Sequence, residues 1–86
     1  MEEKEIDYVS DYFRKLSVAS VEITSGGVSV GDTLHFKGHT TDFKLVVSSM
    51  QIEHESVTEV KQGDSIGLKV SEKVRKGDKV YKIIED

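Results

Sequence analysis

Eighty-six residues with a net charge of −4, no cysteine and no proline make one domain and exclude disulfides, thiolate metal centres and thiol nucleophiles. A chain this short buries only about 60% of its unfolded surface, so a deep catalytic cavity would consume much of its core. The acidic start Met1-Glu2-Glu3-Lys4-Glu5 has no apolar run behind it, which argues against a signal peptide, and no apolar stretch is long enough for a transmembrane helix. A cytoplasmic protein is expected, with residues 1–4 as a frayed acidic tail. Lys and Glu are enriched, Asn is absent and Gln occurs twice, a composition shared with hyperthermophile proteins.

Apolar residues recur with period two almost throughout, the signature of strands. Ile6 and Tyr8 alternate in the first segment, ahead of Tyr12-Phe13. Asp7–Leu16 is the best helical candidate by pattern. Arg14-Lys15 reads as a turn. Leu16–Ile23 reads as a strand with apolar residues on both faces: Leu16 and Val18 on one, Ala19, Val21 and Ile23 on the other. Ser25-Gly26-Gly27 is a turn. Leu34 and Phe36 then face one way and His35 and Lys37 the other, and Gly38 ends that strand. Phe43, Leu45 and Val47 alternate, then Met50 and Ile52 continue after a change of phase. Ser48-Ser49 is the expected bulge, because one extra residue flips the facing of everything after it. Ile66, Leu68 and Val70 form another strand, and Val80–Ile84 the last. About six short strands predict an all-β fold, a small closed or partly open antiparallel β-barrel over residues 1–86.

One step occurs three times: Gly31-Asp32, Gly63-Asp64 and Gly77-Asp78, each followed by one polar residue and an aliphatic that opens a strand. Glycine takes a positive φ without steric cost, and an aspartate carboxylate accepts nearby backbone N–H groups. These pairs are therefore expected as fold-specifying turns. Gly67 differs in lying inside a strand, which implies a corner or a close approach of another backbone.

The run Gly26-Gly27-Val28-Ser29-Val30-Gly31-Asp32-Thr33-Leu34-His35-Phe36-Lys37-Gly38 resembles the strand–turn–strand of domain 2 of translational GTPases such as elongation factor Tu. Val47-Ser48-Ser49-Met50 resembles the strand that follows. Gln62–Leu68 and Arg75–Val80 resemble the two closing elements of the same β-barrel. On this basis the chain resembles stand-alone translation elongation factor-like proteins, in which Gly38-His39-Thr40-Thr41-Asp42-Phe43 is also typical. Val21 departs from the pattern, since translational GTPases commonly place glycine there. The resemblance implies a non-catalytic binding module that contacts RNA or a translation-factor or ribosomal partner. The alternative is a protein-interaction module that docks onto a separate protein; a similar barrel resembles the C-terminus of a collagenase-like peptidase family.

Catalytic signatures are missing from the sequence. Gly26–Thr33 spells a P-loop with Asp32 where lysine is needed, and it opens a strand instead of a helix, so no GTP binding is expected. His35, His39, His54, Asp42, Glu53 and Glu55 lack the ligand spacing of zinc sites, so no metal or cofactor is expected, and no enzyme. Two segments are candidates for partner or RNA contact. One is the polar loop His39, Thr40, Thr41 and Asp42. The other is the basic stretch Lys73, Arg75, Lys76 and Lys79, the positive end of a chain whose first twelve residues carry five acids against one lysine.

Overall fold

In a computed structural model, which describes residues 2–84, the chain is all-β, with ten strands and no helix among the described residues. In chain order they are β1 (Glu2–Phe13), β2 (Val18–Ile23), β3 (Gly27–Ser29), β4 (Thr33–Lys37), β5 (Asp42–Val46), β6 (Met50–Ile52), β7 (Glu55–Val57), β8 (Glu59–Lys61), β9 (Ser65–Lys69) and β10 (Lys79–Ile84). Eight form one antiparallel sheet in the order β5-β4-β10-β1-β2-β9-β6-β7, and β3 pairs with β8. The sheet ends at β5 and β7, which do not pair with each other, so it does not close, and the closed or partly open barrel of about six strands that the spacing predicts is not confirmed beyond its all-β, antiparallel character. The extra strands are three-residue pieces, too short to show a period of their own.

β1 organises the sheet. Its first half pairs with β10 and its second with β2, overlapping at Asp7 and Tyr8. Register shifts between Glu5 and Asp7 and between Val9 and Asp11 bend it between these partners. The first bulge buries the neighbours Ile6 and Asp7 together and turns Tyr8 to solvent, so the expected Ile6/Tyr8 face does not form. The helical alternative over Asp7–Leu16 is excluded by the same pairing. The acidic start, expected as a frayed tail, is strand: Glu2, Glu3 and Lys4 oppose Ile84, Ile83 and Lys82. Met1 lies outside the described residues.

The core collects one side chain in two from most strands, among them Val9, Val21, Leu34, Phe36, Leu68 and Val80, each 1% exposed or less. Burial of such side chains stabilises by about 1.5–3 kcal/mol apiece. Phe36 and Phe43 stack across β4 and β5 with centroids 5.0 Å apart and planes 5° from parallel. Ser48-Ser49 is not a bulge within a strand. Val47 ends the excursion of β5 beside β4, and Met50 starts β6 beside β9, so the phase change marks a crossing between partners.

Candidate functional site

The three Gly-Asp steps build the same device. Asp32, Asp64 and Asp78 donate their backbone N–H to the carbonyls of Ser29, Lys61 and Arg75, at 3.0, 3.1 and 3.0 Å. Their carboxylates accept the backbone N–H of those same residues at 2.8, 2.9 and 2.8 Å. Gly31, Gly63 and Gly77 take φ of +99°, +98° and +93° at the third turn position, which a side chain tolerates poorly. Each turn then locks onto a buried aliphatic of another segment. The glycine N–H donates to the carbonyl of Val47, Ile23 or Val9, and that residue's N–H donates to the aspartate carbonyl, all at 2.7–2.9 Å. The hydrogen-bonding capacity of these turns is spent on the frame.

Both segments expected to contact a partner lie at one end of the molecule. His39 and Thr40 are exposed at the β4–β5 hairpin tip, whereas Thr41 is buried and its carbonyl accepts the Gly38 N–H at 2.7 Å. Gly38 abuts the 75–78 turn so closely that a Cβ there would stand 2.0 Å from the Asp78 carboxylate. Lys73, Arg75 and Lys76 are exposed around buried Val74, and Lys79 lies 3.7 Å from Glu5. Lys82 lies 3.3 Å from Asp32.

Asp42 turns back to the strands and gives its carboxylate to His35. His35 Nε2 stands 2.5 Å from Asp42 Oδ1, and Nδ1 stands 2.9–3.0 Å from both oxygens of Glu3. Only the imidazolium donates to both partners. The hydrogen bond to Asp42, then that to Glu3, holds the His35 pKa above its ordinary value, and His35 in turn lowers that of Asp42. In the sequence His35 and Asp42 stand together only among the six side chains that lack zinc-ligand spacing; Glu3 joins them through β1. No group of three or more His, Cys, Asp or Glu side chains among the described residues could hold a metal ion. Asp7 is the second unusual carboxyl. It is 1% exposed, neither oxygen meets a donor among the described residues, and burial, then the charge of Glu22, pushes its pKa up to about 8.

The concave surface of the molecule lies elsewhere, over the outer face of β2, β9 and β6. There Ser20, Gly67 and Gln51 stand in one row across the three strands. The absent side chain of Gly67 leaves a trough, and a Cβ at that position would meet Val18 and Gln51 only at ordinary contact distance. Two hairpins wall it. The end of β1 and the β1–β2 connection bring Phe13 and Leu16, which are 47% and 62% exposed. The β6–β7 connection brings Glu53 and His54. The larger lobe of this cleft, about 430 Å³, lies between these hairpins and reaches Ser65 and Ile66. A smaller lobe, about 300 Å³, continues past Leu16 and Gln51 to Lys69 and Ser49.

Backbone strain gathers at the same place. The non-glycine residues with positive φ among the described residues are Ser17 (54°), Glu53 (51°) and His54 (68°). Two of them line the cleft and the third adjoins Leu16 in the hairpin that overhangs it. Such conformations disfavour ordinary side chains and concentrate where a site is held in shape. Glu53-His54 forms a two-residue hairpin turn of the type usually built from Asn-Gly, so neither residue advertises it. Leu16 was expected within a strand face, and instead it sits in the connection before β2.

No protein-family model matches the chain. It is 40% identical over 82 residues to an uncharacterized protease of Methanocaldococcus jannaschii, a match that covers 94% of this chain and 20% of that protein. It is 38% identical over 72 residues to a collagenase of Porphyromonas gingivalis, covering 83% of this chain and 20% of that protein. The chain thus spans about a fifth of the length of the curated relatives it matches. Among solved structures, the C-terminal domain of a Geobacillus thermoleovorans protein described as a U32 peptidase superposes with a TM-score of 0.84 at 18% identity, over 95% of this chain and 93% of that one. Its selenomethionine form gives a TM-score of 0.83 at 16% identity, over 90% and 96%. These relatives overturn the translation elongation factor-like identification: they are named as a protease and a collagenase, and the structural neighbours are the C-terminal domain of a peptidase. The translation-associated function falls with it, and docking onto a separate protein gains no specific support. The resemblance rested on glycine-aspartate turns and strand starts, which specify a frame and not the protein that carries it.

Proposed function

We propose that this chain is a non-catalytic accessory domain of the U32-peptidase type, which holds an extended segment of the polypeptide to be cleaved by seating an apolar side chain in the cleft beneath Leu16. The observation that carries this reading is the kind of protein its relatives are: a protease and collagenases of which the matching stretch is about a fifth. The cleft agrees with it. A trough floored by glycine, walled by two exposed apolar side chains and bordered by the short edge strand β7, suits a chain in extended form.

The test is an NMR titration of the isotope-labelled 86-residue chain with gelatin peptides, alongside a cleavage assay of the same sample. Shifts confined to Phe13–Val18, Gln51–His54 and Ser65–Gly67, lost in Leu16→Asp, are the expected result. Leu16 is 62% exposed, so that variant keeps its stability to within about 0.5 kcal/mol. Shifts elsewhere, no shifts at all, or cleavage by the chain alone would each overturn the proposal.

A further inference from the structure

The cleft is apolar in its walls but not neutral at its ends. At the larger lobe, Ser65 donates its hydroxyl hydrogen to the carboxylate of Glu22, which puts one negative charge at the β2–β9 border of the lobe. Glu53, on the strained turn, lines the same lobe from the other side. Glu55 follows on exposed β7, and His54 stands between them. Cationic side chains stand at the other end of the cleft. Lys69 lines the smaller lobe and already donates to the Leu16 carbonyl at 3.1 Å. Arg14 and Lys15 are exposed in the hairpin ahead of Leu16.

Resting on the function proposed above, we infer that the cleft selects a polypeptide segment whose apolar anchor has a basic residue on one side, with the anchor under Leu16 and Phe13 and that cationic neighbour between Glu22 and Glu53. An acidic neighbour would face two carboxylates across a partly apolar lobe, where repulsion is less screened than in open water. Rim charges of this kind act as a filter on partners more than as a source of affinity. A several-fold preference is therefore the scale expected, about five-fold from two partly exposed carboxylates at low salt.

The experiment compares three kinds of short capped peptide between glycines, a leucine with Lys, Gln or Glu on one side and Gln on the other, titrated by NMR into the 86-residue chain at about 20 mM salt. Each is made with the varied residue before and after the leucine, so the result is independent of the direction in which a peptide lies. The expected result is binding at the cleft in the order Lys, Gln, Glu flank. The preference should collapse in the Glu22→Gln/Glu53→Gln variant and at about 0.5 M salt. Equal binding of all three kinds overturns this inference and leaves the proposed function standing. Binding of none overturns both. Concentration-dependent slowing of diffusion without peptide, with shifts at the cleft, would assign it to a second copy of the chain and overturn the inference. Shifts in the double variant confined to the two substituted positions and their contacts, Ser65 and Asp7 among them, establish that it is folded.

Discussion

The buried carboxyl of Asp7 makes the stability of the molecule depend on pH in an unusual direction. It lies in the overlap where β1 pairs with both β10 and β2, is 1% exposed, and meets no donor among the described residues. Its pKa is raised from 3.8 to about 8, by burial first and the Glu22 charge second. Below the unfolded value both states hold the proton and the group is neutral in the balance. Between 3.8 and about 8 the unfolded chain releases a proton that the folded chain retains, so stability falls as pH rises, by about 1.4 kcal/mol per pH unit. Above the folded value the loss is complete. Roughly three pH units of that interval lie below neutrality, which gives on the order of 4 kcal/mol between about pH 4 and pH 7. Asp7→Asn keeps the shape and removes the proton. Urea unfolding of both proteins at the two pH values isolates the effect, because the difference between them cancels His35 and the surface groups. Asn should gain on Asp by about 4 kcal/mol more at pH 7 than at pH 4, and the Asp7 carboxyl carbon should titrate near 8 by NMR. An equal difference at the two pH values would refute the reasoning.

Three further outcomes follow from single contacts. His35→Gln removes an imidazolium held between Glu3 and Asp42. Because the His35 pKa is raised, its stabilisation is fully present below the ordinary histidine value and is lost as pH rises through the folded one, so the thermal midpoint should drop more at pH 5.5 than at pH 9. Gly38→Ala would drive a methyl into the Asp78 carboxylate and release it from the Arg75 N–H. The expected loss is about 2–3 kcal/mol by urea unfolding, and it should shrink by at least about 1 kcal/mol when measured in Asp78→Ala, since the two share one contact. Gly67→Leu fills the trough from the outer face, and calorimetric titration should show peptide binding lost while the melting temperature moves by only a few degrees.

The parts of this fold legible in the sequence are those governed by neighbouring residues. A Gly-Asp step carries its own positive φ and its own hydrogen-bond acceptor, so the turns at Gly31, Gly63 and Gly77 can be located without knowing what surrounds them. Alternation likewise exposes β4 and β9, where Leu34, Phe36, Ile66 and Leu68 point inward. Long-range pairing leaves no such trace. A bulge and a crossing both flip the phase of alternation, so Ser48-Ser49 reads the same either way. The consecutive burial of Ile6 and Asp7 contradicts the expectation that a charged side chain faces water. The cleft was hidden for a related reason. Its floor residues Ser20 and Gln51 are indistinguishable by type from a solvated sheet face, Gly67 between them reads as a corner or a close backbone approach although a Cβ there meets only ordinary contacts, and its wall residue Leu16 belongs to a class normally assigned to a core.

This division has a consequence for how such a domain can vary. Each Gly-Asp turn is tied by two backbone hydrogen bonds to a buried residue of a distant segment, and backbone groups offer the same donor and acceptor whatever side chain they carry. The frame can therefore be kept by six turn residues while the outer face changes freely, which is why fold-level likeness reaches far beyond shared function. Ser17, Glu53 and His54 have the opposite status. Their positive φ values cost on the order of 1 kcal/mol each in conformations that glycine would adopt more easily, and the turn device does not require them. Glycine at 53 and 54 would relieve that strain and leave the β6–β7 pairing intact. It would also remove the carboxylate and imidazole from the larger lobe of the cleft. The strain is thus explained if those two side chains are wanted where they stand, at the mouth of a binding surface.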